Sequence, residues 1–236
     1  FSLRKFPINL SFEKGQFMTK MFFTSFLLIN ILLISSVLPN YSGEAVRAKP
    51  PFVNIVQEIP DAYIDIRYAM KNNFLGTILH GYRKGYCWVR HKTAQALKKA
   101  QIRFGKLGYS LRFFDCYRPL KAASHMIEWA KTHRPEWLGV YIGRKIDLTV
   151  KYGHSCGNTV DVSLVERKTG KPVDMGTDFD DFRREAWTAH AGGEVLKNRM
   201  ILLNVLTGLG FQNFYSEWWH YTYQREPAPP LDIDIE

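Results

Sequence analysis

The sequence lacks low-complexity tracts, internal repeats and any run of Lys or Arg longer than two. The first absence excludes a fibrous or wholly disordered chain, and the second excludes a repeat solenoid. The third removes the dense basic patch that nucleic-acid binding needs, so no nucleic-acid partner is expected. Cysteine is scarce: Cys87, Cys116 and Cys156 are the whole complement, and no two form a CxxC pair. That excludes a structural zinc knuckle, and an odd count leaves at least one thiol outside any disulfide.

What remains is ordinary globular material. The chain has 236 residues, 46% hydrophobic and 23% charged, enough for one well-cored domain. Aromatics are abundant at 14%, which implies a core and a cleft rich in rings. The net charge is +10, and most of it lies beyond residue 45. The first 45 residues set only Arg4, Lys5, Lys14 and Lys20 against Glu13 and Glu44. Without a nucleic-acid motif, this balance suits an anionic envelope surface.

Residues 18–45 have the layout of a signal peptide. Lys20 supplies the positive start. Residues 22–38 are apolar apart from Thr24, Ser25, Asn30, Ser35 and Ser36, and Gly43 and Ala45 are small enough for a cleavage site. An uncleaved weak membrane anchor is the rival, because about 17 apolar residues approach the length of a span. Residues 1–17 precede a good start at Met18 and are expected to have no structural role. Export, to a periplasm, is the expected localisation, and such a compartment permits disulfides.

Beyond residue 45, residues 46–60 should be extended and 61–230 should form the domain, with a peripheral, Pro-rich tail ending in 231–236. Residues 61–69 alternate Ile64, Ile66 and Tyr68 against Asp65 and Arg67, a strand period. A helix is predicted over 93–107, stopped by Gly108, and a strand over 109–113 that runs out at Asp115. Pro119 is suited to open the next helix, which should reach about residue 133. In the strand near 160–164, Val160, Val162 and Leu164 point one way while Asp161 and Ser163 point the other. Residues 194–207 form an apolar helix closed by Gly208, and 211–223 is β-prone. Helices and short strands without βαβ alternation predict an α+β fold, a single domain with a central antiparallel sheet flanked by helices.

Three short clusters can carry chemistry. His154-Ser155-Cys156-Gly157 leads through a loop to Asp161, so an imidazole and a carboxylate can be aimed at one ion. Glu217-Trp218-Trp219-His220 offers a third ligand in His220 and, three residues earlier, a carboxylate able to reach a metal-bound water. Trp218 and Trp219 themselves are ordinary core packing. Asp115-Cys116-Tyr117-Arg118-Pro119 sits between a strand and a helix. It is either a surface ion pair in a turn or an arginine aimed at a developing oxyanion. His-x6-Asp alone is a weak signal. A serine or cysteine hydrolase built on Ser155 or Cys156 with His154 is disfavoured, because adjacent residues rarely give nucleophile–base geometry.

Taken in order, DxYRP at a strand-to-helix junction, HSxGxxxDxxL and a late EWWHY resemble the zinc D-alanyl-D-alanine dipeptidases of the vancomycin-resistance type. That branch belongs to a wider group of zinc DD-peptidases and carboxypeptidases. The likeness runs from about Tyr63 to Pro230. It includes the stretch from Asp65 to Tyr82 and the MGTDFD segment that ends at Asp180. The resemblance implies one zinc ion held by His154, Asp161 and His220. It implies Glu217 as general base and acid, and Arg118 as the residue that steadies the tetrahedral intermediate. Asp115 and Tyr68 match positions near the substrate amino end and the cleft, and the implied partner is a small D,D-dipeptide.

Three positions depart from the pattern. Tyr152 stands where a small hydroxyl residue is usual, Cys116 where Gly is usual, and Cys156 where Arg is common. Because Cys116 and Cys156 each adjoin an implied site residue, a disulfide between them is expected. The implied activity is hydrolysis of D-Ala-D-Ala, tied to wall-peptide metabolism or scavenging. The alternatives are a carboxypeptidase on wall peptides and a non-catalytic, zinc-dependent wall-binding module.

Overall fold

The computed structural model describes residues 51–236, so the expectations for 1–17 and 18–45 lie outside the described residues. A five-stranded sheet organises the domain in the order β2-β4-β5-β7-β6. Its strands are β2 (Tyr63–Ile64), β4 (Tyr109–Asp115), β5 (Thr159–Glu166), β6 (Phe211–Asn213) and β7 (His220–Tyr223). β1 (Phe52–Asn54) and β3 (Trp88–Arg90) pair separately as an antiparallel ribbon. Among the described residues three α-helices complete the fold: α1 (His91–Lys106), α2 (Leu120–His133) and α3 (Gly193–Thr207). The α+β class agrees with the sequence. The sheet is not wholly antiparallel, however, because the edge strand β2 runs parallel to β4.

The chain meets these elements for local reasons. β5 is buried on both faces up to Glu166. Val160, Val162 and Leu164 meet Leu111 and Phe113 of β4 in a fully buried layer. α1 presents Ala94, Leu97, Ala100 and Phe104 to this core and packs on β4 and on α3. Gly108 (φ 86) ends α1 in the left-handed region, as its position predicts. Pro119 stands just before α2 rather than as its first residue.

Two expectations fail here. The alternation in 61–69 predicts one strand, yet only Tyr63–Ile64 pairs, and Arg67–Ala69 closes into a 3-10 turn. Asp65 accepts from Arg67 (2.9 Å), and the turn carries Tyr68 under the sheet edge, where it is 2% exposed. Nor is the segment after Arg225 peripheral. The Glu226 carboxylate accepts from the amides of Lys92 and Thr93, capping the start of α1. Ile233 N donates to the Tyr117 hydroxyl (2.7 Å), and Ile235 is wholly buried, bridging to Tyr82. The prolines bar a helix or central strand, but the aliphatic residues between them still bury. Among the described residues no helix is long and apolar enough to cross a membrane.

Candidate active site

Three neighbouring strands line up the site. Asp161 on β5 pairs with His220 on β7 and, on its other side, with Asp115 on β4. A bulge between Phe113 and Asp115 makes this possible. Without it, alternation would put Asp115 on the face of Leu111 and Phe113; the extra residue turns the carboxylate to the face of Asp161. His154 comes from a short 3-10 turn, His154–Cys156, held between Gly153 (φ 131) and Gly157 (φ 76). A Cβ at Gly157 would strike the Phe52 ring, so the turn needs glycine there for space as well as for φ.

The donor atoms converge. His154 Nε2 lies 3.4 Å from His220 Nδ1, and both lie close to Asp161 Oδ1, at 3.3 and 3.2 Å respectively. Spacings of this size would let all three donors reach one cation, and nitrogen and oxygen ligands of this kind suit zinc. Asp161 Oδ1 is buried without a hydrogen-bond partner, a costly state unless a cation meets it. The backbone oxygen of Cys116, which can only accept, is 2.7 Å from His154 Nδ1. The proton therefore sits on Nδ1 and the Nε2 lone pair faces the cluster.

Glu217 flanks the cluster, 6% exposed, with Oε2 3.4 Å from His220 Nδ1. Asn213 fixes the turn that presents it, donating to the backbone oxygens of Glu217 and His220 at 3.0 Å each. Burial, then the negative charge of Asp161, pushes Glu217 up to about 8. On the opposite flank Arg118 is clamped: Nε is 2.9 Å and Nη2 2.8 Å from Asp115 Oδ2, and Cζ lies 4.9 Å over the Tyr68 ring. Asp115 is wholly buried and also accepts from the Tyr82 hydroxyl at 2.6 Å. It sits behind the guanidinium rather than in the cleft.

A cavity of about 230 Å³ opens over the cluster, walled by Tyr68, Arg118, Asp180, Glu217, Phe182 and Trp219. The sequence reading misses Asp180 as a site residue. It takes a left-handed φ of 63°, rare for a residue other than glycine, and its two oxygens accept from the Tyr68 hydroxyl at 3.1 and 2.9 Å. Burial and the nearby Asp161 push it well above the usual carboxylate range. The reading also misses Arg199, 1% exposed on α3, which donates to the backbone oxygens of Met175, Glu185 and Trp187. It fastens the loop that carries Asp180, and Trp218 helps by donating to Thr177 (2.8 Å). The one signal for Asp180 in the sequence is its place at the end of the MGTDFD segment.

The disulfide expectation is overturned. Cys116 bonds to Cys87, with Cα atoms 5.2 Å apart, and Cys156 is free and buried. Tyr117 N donates to Trp88 O (2.8 Å), which brings β3 beside the turn after β4 and so sets Cys87 against Cys116. Burial pushes the Cys156 thiol up to about 11, so it is not poised as a nucleophile. Tyr152 is partly exposed, and its hydroxyl donates to Gln224 O at 3.1 Å.

Three convergent metal-binding donors, a buried carboxylate on one side and a clamped guanidinium on the other are what a metal-assisted hydrolase requires. Residues 48–234 match the D-ala-D-ala dipeptidase family, and the chain belongs to it. The chain is 32% identical over 176 residues to a D-alanyl-D-alanine dipeptidase of Enterococcus faecalis, covering 70% of this chain and 87% of that one. It is 29% identical over 185 residues to one of Escherichia coli, covering 77% and 89%. One of Streptomyces coelicolor is 30% identical over 184 residues, covering 72% and 90%.

Proposed function

We propose that this chain is a zinc-dependent peptidase that hydrolyses D-alanyl-D-alanine, with His154, Asp161 and His220 as the zinc ligands. The observation that carries the reading is the triangle of donor atoms 3.2–3.4 Å on a side, with Glu217 beside it. Zinc bound there supplies a Lewis acid and an acidified water.

The rest of the chemistry belongs to the chain. Glu217 takes the proton of the attacking water and returns it to the leaving amine. Its carboxylate is buried beside the donor cluster, within reach of that water. Arg118 offers its guanidinium to the oxyanion that develops on the carbonyl. The Asp115 clamp fixes its direction beforehand, so little reorganisation is needed as the charge grows. Asp180, rather than Asp115, meets the substrate ammonium, because Asp180 lines the cavity and Asp115 lies behind Arg118. Tyr68 orients Asp180.

This end of the cleft favours a dipeptidase over a carboxypeptidase on longer wall peptides. Asp180, Tyr68 and Phe182 wall the cavity where a peptide extended at its amino end would have to pass. A purely binding module would need neither Glu217 nor a clamped Arg118. Export to a periplasm is part of the proposal and is supported by the apolar leader at residues 22–38. There, the enzyme would scavenge or recycle wall-derived dipeptides. The test is Glu217→Ala: turnover should vanish while one zinc per chain remains bound, and retained turnover would overturn the assignment.

A further inference from the structure

The catalytic cavity adjoins a larger one of about 460 Å³, and the two share Arg118, Met126, Tyr141, Ile142 and His154 as walls. Their linings differ in kind. Asp161, Asp180 and Glu217 line only the smaller cavity. Aliphatic side chains form a large part of the larger one's wall, among them Leu120, Ile127, Ile146 and Val150, with Lys145 also in its lining. Its one carboxylate, Asp147, is engaged by the Thr149 amide (2.8 Å) and hydroxyl (2.6 Å). The loop that forms its outer wall also holds four exposed large apolar residues: Val140, Leu148, Val150 and Tyr152.

A free dipeptide is a zwitterion. With its ammonium at Asp180 and its scissile carbonyl between Arg118 and the donor cluster, its C-terminal residue would point toward the side on which Arg118 and His154 line both cavities. That residue enters the larger cavity, where Lys145 and Arg118 are the cations available to its carboxylate. We infer that this second cavity is the subsite for the substrate's C-terminal residue, and that it selects D,D-dipeptides ending in a bulky aliphatic or aromatic residue over D-Ala-D-Ala. The inference rests on the proposed dipeptidase reading and deepens it.

The physical reason is burial. A methyl group leaves most of 460 Å³ to water, whereas a larger apolar side chain covers the aliphatic wall. Each buried CH2 is worth roughly fourfold in affinity. The cavity is open to solvent on one side, so a leucine in place of alanine should gain on the order of tenfold rather than the full product. Ala123, on α2, faces the same cavity without lining the catalytic one, so Ala123→Phe should fill the space from its helix side.

The experiment compares kcat/KM for D-Ala-D-Ala, D-Ala-D-Leu and D-Ala-D-Phe with the zinc-loaded enzyme. Calorimetric binding of the same three dipeptides to Glu217→Gln accompanies it. The expected result is that D-Ala-D-Leu and D-Ala-D-Phe exceed D-Ala-D-Ala in both readouts. Ala123→Phe should cut the ratio of D-Ala-D-Phe to D-Ala-D-Ala at least tenfold. Val150→Asp, at the exposed rim, should lower the same ratio without testing the helix packing. If D-Ala-D-Ala is cleaved and the larger dipeptides are both slower and weaker, the subsite inference falls and the dipeptidase reading stands. If none is cleaved, the dipeptidase reading falls; the subsite inference then falls too unless the binding order still favours the larger side chains.

Discussion

Asp115→Asn removes one negative charge from a wholly buried side chain without changing its size. The carboxylate accepts from Arg118 Nε and the Tyr82 hydroxyl, and its Oδ2 lies 3.3 Å from His154 Nδ1. An amide can still accept with its oxygen, but its NH2 group must then face either the guanidinium or the tyrosine hydroxyl. Breaking a buried ion pair by removing one partner costs about 3–5 kcal/mol. Here Arg118 keeps a second carboxylate in Asp161 at 3.7 Å, and the amide keeps one bond, so a loss near the lower end, about 3 kcal/mol, is expected. The larger effect should be on turnover. A guanidinium no longer clamped resembles a missing oxyanion donor, which costs roughly 100-fold or more in kcat. Steady-state kinetics on D-Ala-D-Ala, with a denaturant melt and a zinc assay on the same sample, separates the two. A folded, zinc-replete variant with kcat within threefold of the parent would refute the idea that Asp115 works by positioning Arg118.

Asp180→Ala should raise KM for a free dipeptide by at least tenfold with a smaller change in kcat, since the lost contact is to the substrate ammonium; kinetics in which only kcat falls would contradict this. Titration of the unreduced, unfolded protein should find one free thiol, that of Cys156. Replacing Cys87 and Cys116 by serine should cost about 3–4 kcal/mol in a denaturant melt, from a loop closed over 29 residues. Glu217 rises on folding from an ordinary carboxylate value to about 8, so the folded chain holds the extra proton in between. Its contribution is present at low pH and lost as pH rises through that window. In chelator-treated protein, the stability gained by Glu217→Gln over the parent should therefore grow from pH 5 to pH 8, and a gap that shrinks would reverse the sign.

The parts of the molecule legible in the sequence are those fixed locally. α1 and α3 sit within two residues of their predicted spans, because Gly108 and Gly208 stop them and their apolar spacing is helical. The donor cluster was legible through the family resemblance of its three motifs; the alternation in β5, which turns Asp161 away from Val160 and Val162, is by itself a weak signal. What the sequence hid depends on contacts between distant segments. Cys116 and Cys156 both adjoin site residues along the chain, but the hydrogen bond from Tyr117 to Trp88 brings Cys87, not Cys156, into reach. Asp180 lies in an acidic, aromatic stretch with no period, and its placement depends on Arg199 reaching across from α3. The short β2 reads as a longer strand because 3-10 turns carry no distinct period of their own.

The central claim is tested most directly by offering the purified protein D-Ala-D-Ala beside a pentapeptide ending in D-Ala-D-Ala, with and without a zinc chelator. The account predicts cleavage of the free dipeptide alone, abolished by the chelator and restored by zinc. Cleavage of the pentapeptide would contradict the closed amino-end reading built on Asp180, and cleavage that survives the chelator would contradict the role given to His154, Asp161 and His220.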